Sequence, residues 1–257
     1  MRGALIVYPS SKTEQVAIAE ILGDADAQIQ SYEHLIAKKR DIKQGTMQEL
    51  LTGKTRLPGF SGEWETRRLG EISEINSESL SSNTDQEYTF TYISLENISR
   101  GTLTDSFSVV FKDAPSRAKR VVRKNDVLIS TVRPNLMSHY YIVNEVNDLI
   151  CSTGFSVLRT REILLHGPFV YHHMMASVLN KQIELLLVGS NYPAINSKDV
   201  EGLKIPVPSF NEQKAIAEVL SDMDAELAAL EERLEKAKAI KQGMMQQLLT
   251  GKIRLVD

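Results

Sequence analysis

The segments that most resemble a reactive site are two short Gly-Lys motifs. Gly53-Lys54-Thr55 imitates the end of a phosphate-binding loop of the Gly-x-x-x-x-Gly-Lys-Thr type. Position 48, however, is Gln where that loop needs Gly, and the later segment Gly251-Lys252-Ile253 lacks a hydroxyl for magnesium. We therefore interpret both segments as helix ends and predict no nucleotide site.

Neither the histidines nor the cysteine have the spacing of a metal or catalytic site. His172 and His173 are adjacent, so on a helix they face different directions, and no Cys or carboxylate stands at zinc-ligand spacing around them. Cys151 is the single cysteine and is most simply a small buried hydrophobe. The chain also lacks the Asn-Pro-Pro-aromatic motif of adenine methyltransferases and the Gly-x-Gly-x-x-Gly fingerprint. We expect a protein that is not an enzyme and has no metal or cofactor.

Positive charge is concentrated in one run in the middle of the chain. Between positions 112 and 124, only Asp113 is acidic, against six basic residues: Lys112, Arg117, Lys119, Arg120, Arg123 and Lys124. A protein that binds nucleic acid uses such a cluster to neutralise phosphates. The alternative is a solvated loop, because the whole chain has a net charge of -3 and is not basic overall.

Two further segments have side chains suited to base edges. Arg133-Pro134-Asn135 combines a guanidinium that fits the N7 and O6 atoms of guanine with an amide that fits adenine. Ser190, Asn191 and Tyr192 stand in a predicted turn between Gly189 and Pro193. Turn formation alone is the alternative explanation for both segments.

These residues must be positioned by a chain that contains a long internal repeat. Segment 14–57 returns at 212–255, and 25 of the 44 aligned positions are identical. We therefore expect the two copies to share one local structure. In both copies apolar residues recur at alternating spacings of three and four, which is typical of a coiled coil. The predicted helix-helix seam comprises Ile18, Leu22, Ile29, Ile36, Ile216, Leu220, Leu227, Leu230 and Leu234.

Each repeat has a helix start signal and a helix stop signal. Ser11 and Ser209 each begin a Ser-x-x-Glu capping box, and Gly53 and Gly251 fit the left-handed position after a helix. The predicted helices are about 38 residues long, or roughly 57 Å at 1.5 Å per residue. Because domain termini often lie close together, we expect the helices to be antiparallel.

If the ends of the antiparallel helices match, contacting position numbers sum to about 263. This register places Ile18 by Met245, Ile29 by Leu234, Ile36 by Leu227 and Met47 by Ile216. Gly45 and Gly243 lie at equivalent places inside the predicted helices, where glycine costs about 1 kcal/mol relative to alanine. A kink and a close helix approach are both open explanations.

The segment between the repeats has a different pattern. Short β-branched and aromatic runs begin at Tyr88, Ser106, Asp126, Tyr140 and Phe155, and a helix is predicted over 168–188. We predict a mixed α/β or α+β fold, in which a strand-rich domain is inserted between two long helices that form an antiparallel coiled coil. The expected organisation is a remnant strand of a missing domain (1–10), a first helical region (11–57), the inserted domain (58–208) and a second helical region (209–257).

The bulk composition excludes membrane and disulfide-rich classes. The chain has 257 residues, of which 42% are hydrophobic, and one cysteine. Its N-terminal apolar run, 4–8, is too short for a signal peptide or a membrane span. We expect a soluble protein of the reducing cytoplasm with no membrane association.

Several motifs together resemble the specificity subunit of type I restriction-modification systems. They are found in 58–72 (PGFSGEW into RRLGEI), 92–101 (YISLENISRG), 125–134 (NDVLIS with RP), 151–155 (CSTGF) and 205–213 (IPVPSFNEQ), with LLTGK at both helix ends. In that family a target recognition domain is followed by a conserved helical region, and the pattern occurs twice. This chain departs from the pattern because it lacks the first recognition domain.

The resemblance implies a non-catalytic subunit of a restriction endonuclease and adenine methyltransferase complex. Its expected partners are double-stranded DNA, methyltransferase (modification) subunits on the helices and an endonuclease (restriction) subunit. With one recognition domain we expect a half-site reader, which gains full specificity as a homodimer or through a second recognition domain elsewhere. The alternative is a structural coiled-coil adaptor, or a truncated decoy without sequence-specific DNA binding.

Overall fold

The computed structural model describes residues 9–161, 163–187 and 193–255. These residues form two compact units. The helical unit comprises the described residues up to Lys43 together with those from Asp222 onward, and the larger unit is Gln44–Ser221. No helix in the described ranges combines the length and apolarity that a membrane span requires.

Helices and strands alternate irregularly along the chain between two long terminal helices. The helices are α1 (Lys12–Leu51), α2 (Leu69–Ile72), α3 (Gly167–Met175), α4 (Ser177–Leu186), α5 (Ser197–Gly202) and α6 (Phe210–Leu248). The strands are β1 (Glu65–Arg68), β2 (Ser73–Ile75), β3 (Thr89–Ile93), β4 (Ile98–Ser99), β5 (Thr102–Leu103), β6 (Phe107–Val110), β7 (Ala118–Val122), β8 (Val127–Ser130), β9 (Tyr140–Tyr141), β10 (Leu149–Ser152), β11 (Phe155–Thr160) and β12 (Lys204–Val207). The mixed fold class, with a sheet domain between two long helices, is confirmed.

The long helices begin and end at the predicted signals. α1 has 40 residues and α6 has 39. The hydroxyl oxygens of Ser11 and Ser209 accept hydrogen bonds from main-chain N–H groups three residues later, at 3.5 and 3.4 Å. Gly53 and Gly251 follow the helices with φ of 69° and 70°, a left-handed conformation that glycine adopts without strain.

The helical unit is an antiparallel helix pair with an approximate two-fold relation. Ile36, Leu227 and Leu230 form a buried apolar cluster, against which Tyr32 and Leu234 pack. Ion pairs also join the two helices, and each has a counterpart in which both residues are shifted by the repeat distance of 198 positions. Lys43 with Asp224 corresponds to Lys241 with Asp26, and Arg40 with Glu231 corresponds to Lys238 with Glu33. All nine residues of the predicted seam, of which Ile216 and Leu220 belong to the larger unit, are buried or half-buried.

An apolar contact agrees with the predicted register of the helix pair. Ile36 and Leu227 belong to one cluster, as the predicted register requires. In that register Lys43 lies opposite position 220, and it pairs with Asp224 about one helical turn further along, an offset that a long lysine side chain can span.

Gly45 and Gly243 do not mark a close approach of the helices. A Cβ atom at either position would meet nothing within 4 Å. Both lie inside uninterrupted helix. The structure thus rejects a close helix approach as the explanation for these glycines and gives no reason to infer a kink.

Two bidentate ion pairs in equivalent sequence positions differ in how well they are enclosed. Arg56 binds Glu212 at 2.5 and 2.7 Å, and Arg254 binds Glu14 at 2.5 and 2.6 Å. The Arg56 side chain is 26% exposed, whereas that of Arg254 is 57% exposed. Arg56 also donates to the Gly62 carbonyl at 2.8 Å and lies over the ring of Trp64.

We therefore expect Arg56→Met to lower the thermal stability more than Arg254→Met does. Each substitution leaves a buried glutamate without its cation, but only the first also removes the interactions with a tryptophan ring and a main-chain carbonyl. Thermal unfolding of the two variants measures the difference. An equal or larger decrease in Arg254→Met would contradict the expectation.

The larger unit is built on two four-stranded sheets that share a core. The strand orders are β6-β3-β10-β7 and β2-β11-β8-β9, with the short pairs β1-β12 and β4-β5 beside them. β3 and β10 are parallel, and the other pairings are antiparallel. The shared core is a cluster that draws residues from both sheets: Ile93, Val122, Leu149 and Cys151 from the first, and Leu128, Phe155 and Val157 from the second. Burial of these apolar side chains stabilises the unit.

One expectation for this unit is wrong, and one strand was missed. The predicted helix 168–188 is two helices, because Ala176 has an extended backbone (φ -89°, ψ 147°) and separates α3 from α4. The sequence analysis also missed a strand, because Arg120 and its neighbours in the basic run form β7, so the alternative of a solvated loop does not describe this part of the run. Charged side chains hid this strand, because an edge strand needs apolar residues on one face only.

Candidate nucleic-acid interface

Several strands of the two sheets end on one side of the larger unit, which we call the loop end. β8 leads into segment 131–137 there, and β10 turns through Thr153–Gly154 into β11. The Thr153 main-chain N–H donates to the carbonyl of Arg117 at 2.8 Å. The Gly154 carbonyl accepts from the main-chain N–H and the hydroxyl of Thr131, at 2.9 and 2.8 Å. The turn thus ties the start of β7 to the root of segment 131–137.

The predicted base-reading segment Arg133–Asn135 forms a tight turn at the loop end. Pro134–Leu136 is one turn of 3-10 helix, and Pro134 is buried. Arg133 and Met137, on either side, have φ of 49° and 54°. Left-handed backbone at residues other than glycine is strained, and such strain concentrates at functional sites. Arg133 and Asn135 are exposed.

The chain directly after the second predicted segment contacts the first one. Ser190, Asn191 and Tyr192 lie outside the described residues, but the chain is described again from Pro193. The Arg133 main-chain N–H donates to the Pro193 carbonyl at 2.7 Å. The Ile195 main-chain N–H donates to the Thr131 carbonyl at 2.9 Å. Residues 131–133 and 193–195, which are about 60 residues apart in sequence, are therefore adjacent, which the sequence alone did not predict.

The structure divides the basic run into two groups of three cations. Lys112, Arg123 and Lys124 lie at the far end of the first sheet, and their ammonium or guanidinium groups contact Glu87, Glu78 and Glu145, each at 2.8 Å. These cations are largely compensated by carboxylates. The other three, Arg117, Lys119 and Arg120, form no ion pair among the described residues.

The uncompensated cations lie at the start of β7, beside the loop end. Arg117 is exposed and directly precedes the strand. Lys119 is an extra residue in the pairing of β7 with β10, a β-bulge that re-aims side chains, and its ammonium lies 4.7 Å from the centroid of the Phe111 ring. Arg120 donates to the Ser79 hydroxyl at 3.2 Å, while its buried Nε has no hydrogen-bond partner.

One exposed residue at the loop end was missed by the sequence analysis. Thr153 stands in the turn between β10 and β11, and its side chain is exposed between Arg117 and Thr131. Its hydroxyl can accept from or donate to a base or a phosphate. It belongs to the motif CSTGF (151–155), which indicated the family resemblance but no contact residue.

Cys151 and the Gly53-Lys54-Thr55 motif have structural roles in the larger unit. Burial raises the pKa of the Cys151 thiol, so it stays protonated. Lys54 and Thr55 both bind the Glu49 carboxylate, at 2.6 and 2.8 Å, which makes this motif part of a helix end. In the described ranges, no group of His, Cys, Asp and Glu side chains could hold a metal ion.

Two buried histidines are kept neutral. The Ser130 main-chain N–H donates to Nδ1 of His139 at 3.1 Å, so the proton of this ring lies on Nε2. Burial lowers the pKa of His139 to about 4. Burial, together with the neighbouring His172, lowers the pKa of His173 to about 3.

These two histidines should make the larger unit less stable in mild acid. Their folded pKa values lie below the unfolded value of about 6.5, so the unfolded chain binds more protons as the pH falls below 6.5. We expect each to cost about 1 kcal/mol of unfolding free energy between pH 7 and pH 5.5. Urea unfolding of the wild type and His139→Asn at both pH values tests this, since the stability of the variant should fall less. An equal decrease in the variant would contradict the expectation.

Residues 61–241 match the family model described as the type I restriction modification DNA specificity domain. The Type I restriction enzyme MjaVIII specificity subunit of Methanocaldococcus jannaschii is 26% identical over 259 residues, which cover 94% of this chain and 60% of that protein.

Two solved structures are also similar. The crystal structure of the HsdS subunit from Thermoanaerobacter tengcongensis shares 27% sequence identity at a TM-score of 0.56, over 76% of this chain and 48% of the other. The S subunit of the type I restriction-modification system from M. genitalium shares 20% identity at a TM-score of 0.60, over 93% and 61%, which shows the fold alone. The chain spans about 60% or less of the length of these relatives.

Proposed function

The chain belongs to the type I restriction modification DNA specificity family, whose members are non-catalytic, and from this premise we propose that it selects a duplex DNA sequence through its larger unit. The proposal includes methyltransferase (modification) subunits bound to its long helices and an endonuclease (restriction) subunit that joins this assembly. We propose the cytoplasm as the location, where Cys151 remains a free thiol.

The observation that supports DNA reading is the composition of the loop end. Exposed Arg133 and Asn135 carry the two side-chain types that bind guanine and adenine edges in the major groove. Arg117 has no ion pair among the described residues. Its carbonyl accepts from the main-chain N–H of Thr153, in the turn that also binds the root of segment 131–137. A surface that combines base-reading groups with available cations fits the division of labour between base contacts and phosphate contacts.

The helices support the second part of the proposal. Because the two repeats are so similar in sequence and pair through equivalent ions, the antiparallel pair offers two related surfaces. Two methyltransferase subunits could bind, one to each repeat. A two-fold relation of this kind favours partners bound in equal numbers to both repeats.

One recognition domain in the chain implies one short motif. We propose that a single chain reads a half-site, and that a homodimer would read two inverted copies of the half-site. The two arrangements differ in the DNA that they select, because a symmetric dimer imposes its symmetry on the sequence.

Selection from a library of random DNA duplexes, followed by electrophoretic separation, tests this function. The selection is run with the chain alone and with its cognate methyltransferase subunit. Enrichment of a defined motif supports recognition; a single short motif indicates the monomer and a spaced palindrome indicates the dimer. Binding of the methyltransferase subunit without any sequence preference would instead support a structural adaptor, and an asymmetric two-part motif would contradict the half-site proposal.

A further inference from the structure

An apolar side chain stands exposed in the middle of the polar loop end. Leu136 is 55% exposed and directly follows Asn135 in the tight turn. A single exposed leucine has no special meaning on an ordinary surface. Here, however, it stands beside the two residues that are suited to base edges, on a turn whose backbone has an unusual conformation.

The turn holds Leu136 in a fixed place. Its main-chain N–H donates to the Arg133 carbonyl, and that of Met137 donates to the Pro134 carbonyl, both at 2.9 Å. The left-handed conformations of Arg133 and Met137 begin and end this turn. Strained backbone of this kind persists only when surrounding contacts determine it, so the backbone that carries Leu136 has a fixed place on the surface.

Hydrogen bonds at the root of the turn hold it in place. The buried His139 ring accepts the main-chain N–H of Ser130 at 3.1 Å, and the Ser130 hydroxyl donates to the Val132 carbonyl at 2.9 Å. The Asn180 amide of α4 lies 3.9 Å from the sulfur of Met137. The turn is therefore organised before any ligand binds, which lowers the entropic cost of recognition.

Base edges in the major groove include one apolar group, the C5 methyl of thymine. The rigid turn carries the guanidinium of Arg133, the amide of Asn135 and the isobutyl group of Leu136. These three groups match the edges of guanine, adenine and thymine, respectively. We propose that Leu136 is a specificity-determining residue that contacts a thymine methyl group in the selected DNA. This inference rests on the proposed function, because it needs a duplex bound at the loop end.

The test removes the leucine and the methyl group separately and together. The duplex selected by the wild-type chain is synthesised with each thymine replaced in turn by deoxyuridine, which lacks only the methyl group. Dissociation constants are measured for the wild type and for Leu136→Ala. Val143→Ala is the matched control, because Val143 is also exposed (62%) but lies at the opposite end of the β8-β9 hairpin.

At one thymine we expect deoxyuridine to weaken wild-type binding about fourfold, the equivalent of roughly 0.8 kcal/mol for one buried methyl or methylene group. The same replacement should leave Leu136→Ala binding unchanged, because alanine is too short to reach the methyl group, while Val143→Ala behaves as the wild type. The inference is overturned if Leu136→Ala binds as well as the wild type, if the two effects are additive at every thymine, or if the motif contains no A·T pair. A wild-type chain that selects no motif at all would instead show that the proposed function itself fails, and the inference with it.

Discussion

Replacing Arg117, Lys119 and Arg120 together with alanine is expected to weaken binding to all DNA sequences alike and to flatten its salt dependence. The slope of log K against log salt should fall by up to about 0.9 for each phosphate that the variant no longer neutralises. The physical reason is that these three cations have no carboxylate partner among the described residues. They can therefore neutralise DNA phosphates, which release their bound counterions when the protein binds. Sequence preference should survive, because phosphate contacts carry no base information.

The chain offers a matched control for this experiment. Lys112, Arg123 and Lys124 belong to the same basic run and carry the same total charge, but each already contacts a glutamate. Their replacement by alanine should change the affinity and the salt slope much less. An unchanged salt slope in the first triple variant, or equal slopes in the two, would show that Arg117, Lys119 and Arg120 do not face phosphates. Both variants should be checked for unaltered thermal unfolding.

Leu230→Asp is expected to destabilise the helical unit severely, by about 3 to 5 kcal/mol of unfolding free energy. Leu230 is 7% exposed and belongs to the cluster with Ile36 and Leu227. An aspartate at this position would place a carboxylate among apolar side chains, without a hydrogen-bond donor to compensate it. Urea unfolding, followed by the circular dichroism of the long helices, measures the decrease.

The control for this prediction is the neighbouring residue. Ala229→Asp introduces the same charge on the same helix at an exposed position. We expect it to cost well under 1 kcal/mol, as most surface substitutions on helices do. If the two variants unfold at the same urea concentration, the pairing of α1 with α6 does not depend on the seam that the structure shows.

The architecture was predictable where a local pattern decides the structure. Apolar periodicity, capping residues and glycines with positive φ define the long helices, and β-branched runs define strands such as β3 and β11. The break at Ala176 was not predictable, because no proline or glycine marks it. β7 was missed because charged residues interrupt its apolar pattern, which an edge strand tolerates.

The candidate site could be predicted only as separate segments. Side-chain chemistry singled out Arg133–Asn135 and the basic run, but their proximity depends on hydrogen bonds between residues distant in sequence, such as Thr153 with Arg117. The sequence also could not tell which cations of the run have carboxylate partners, since Glu78 and Glu87 belong to other segments. Tertiary structure alone separates the compensated cations from the available ones.

The central claim, that the loop end reads DNA, is tested most directly by comparing the motifs that two proteins select. The wild type and a double variant, Arg133→Ala with Asn135→Ala, are each used to select duplexes from the same random library. We predict that the wild type enriches one motif, and that the variant keeps its general affinity but loses preference at one or two base pairs, each worth about 1 to 3 kcal/mol of discrimination. Selection of the same motif by both proteins, or no enrichment by the wild type, would contradict the claim.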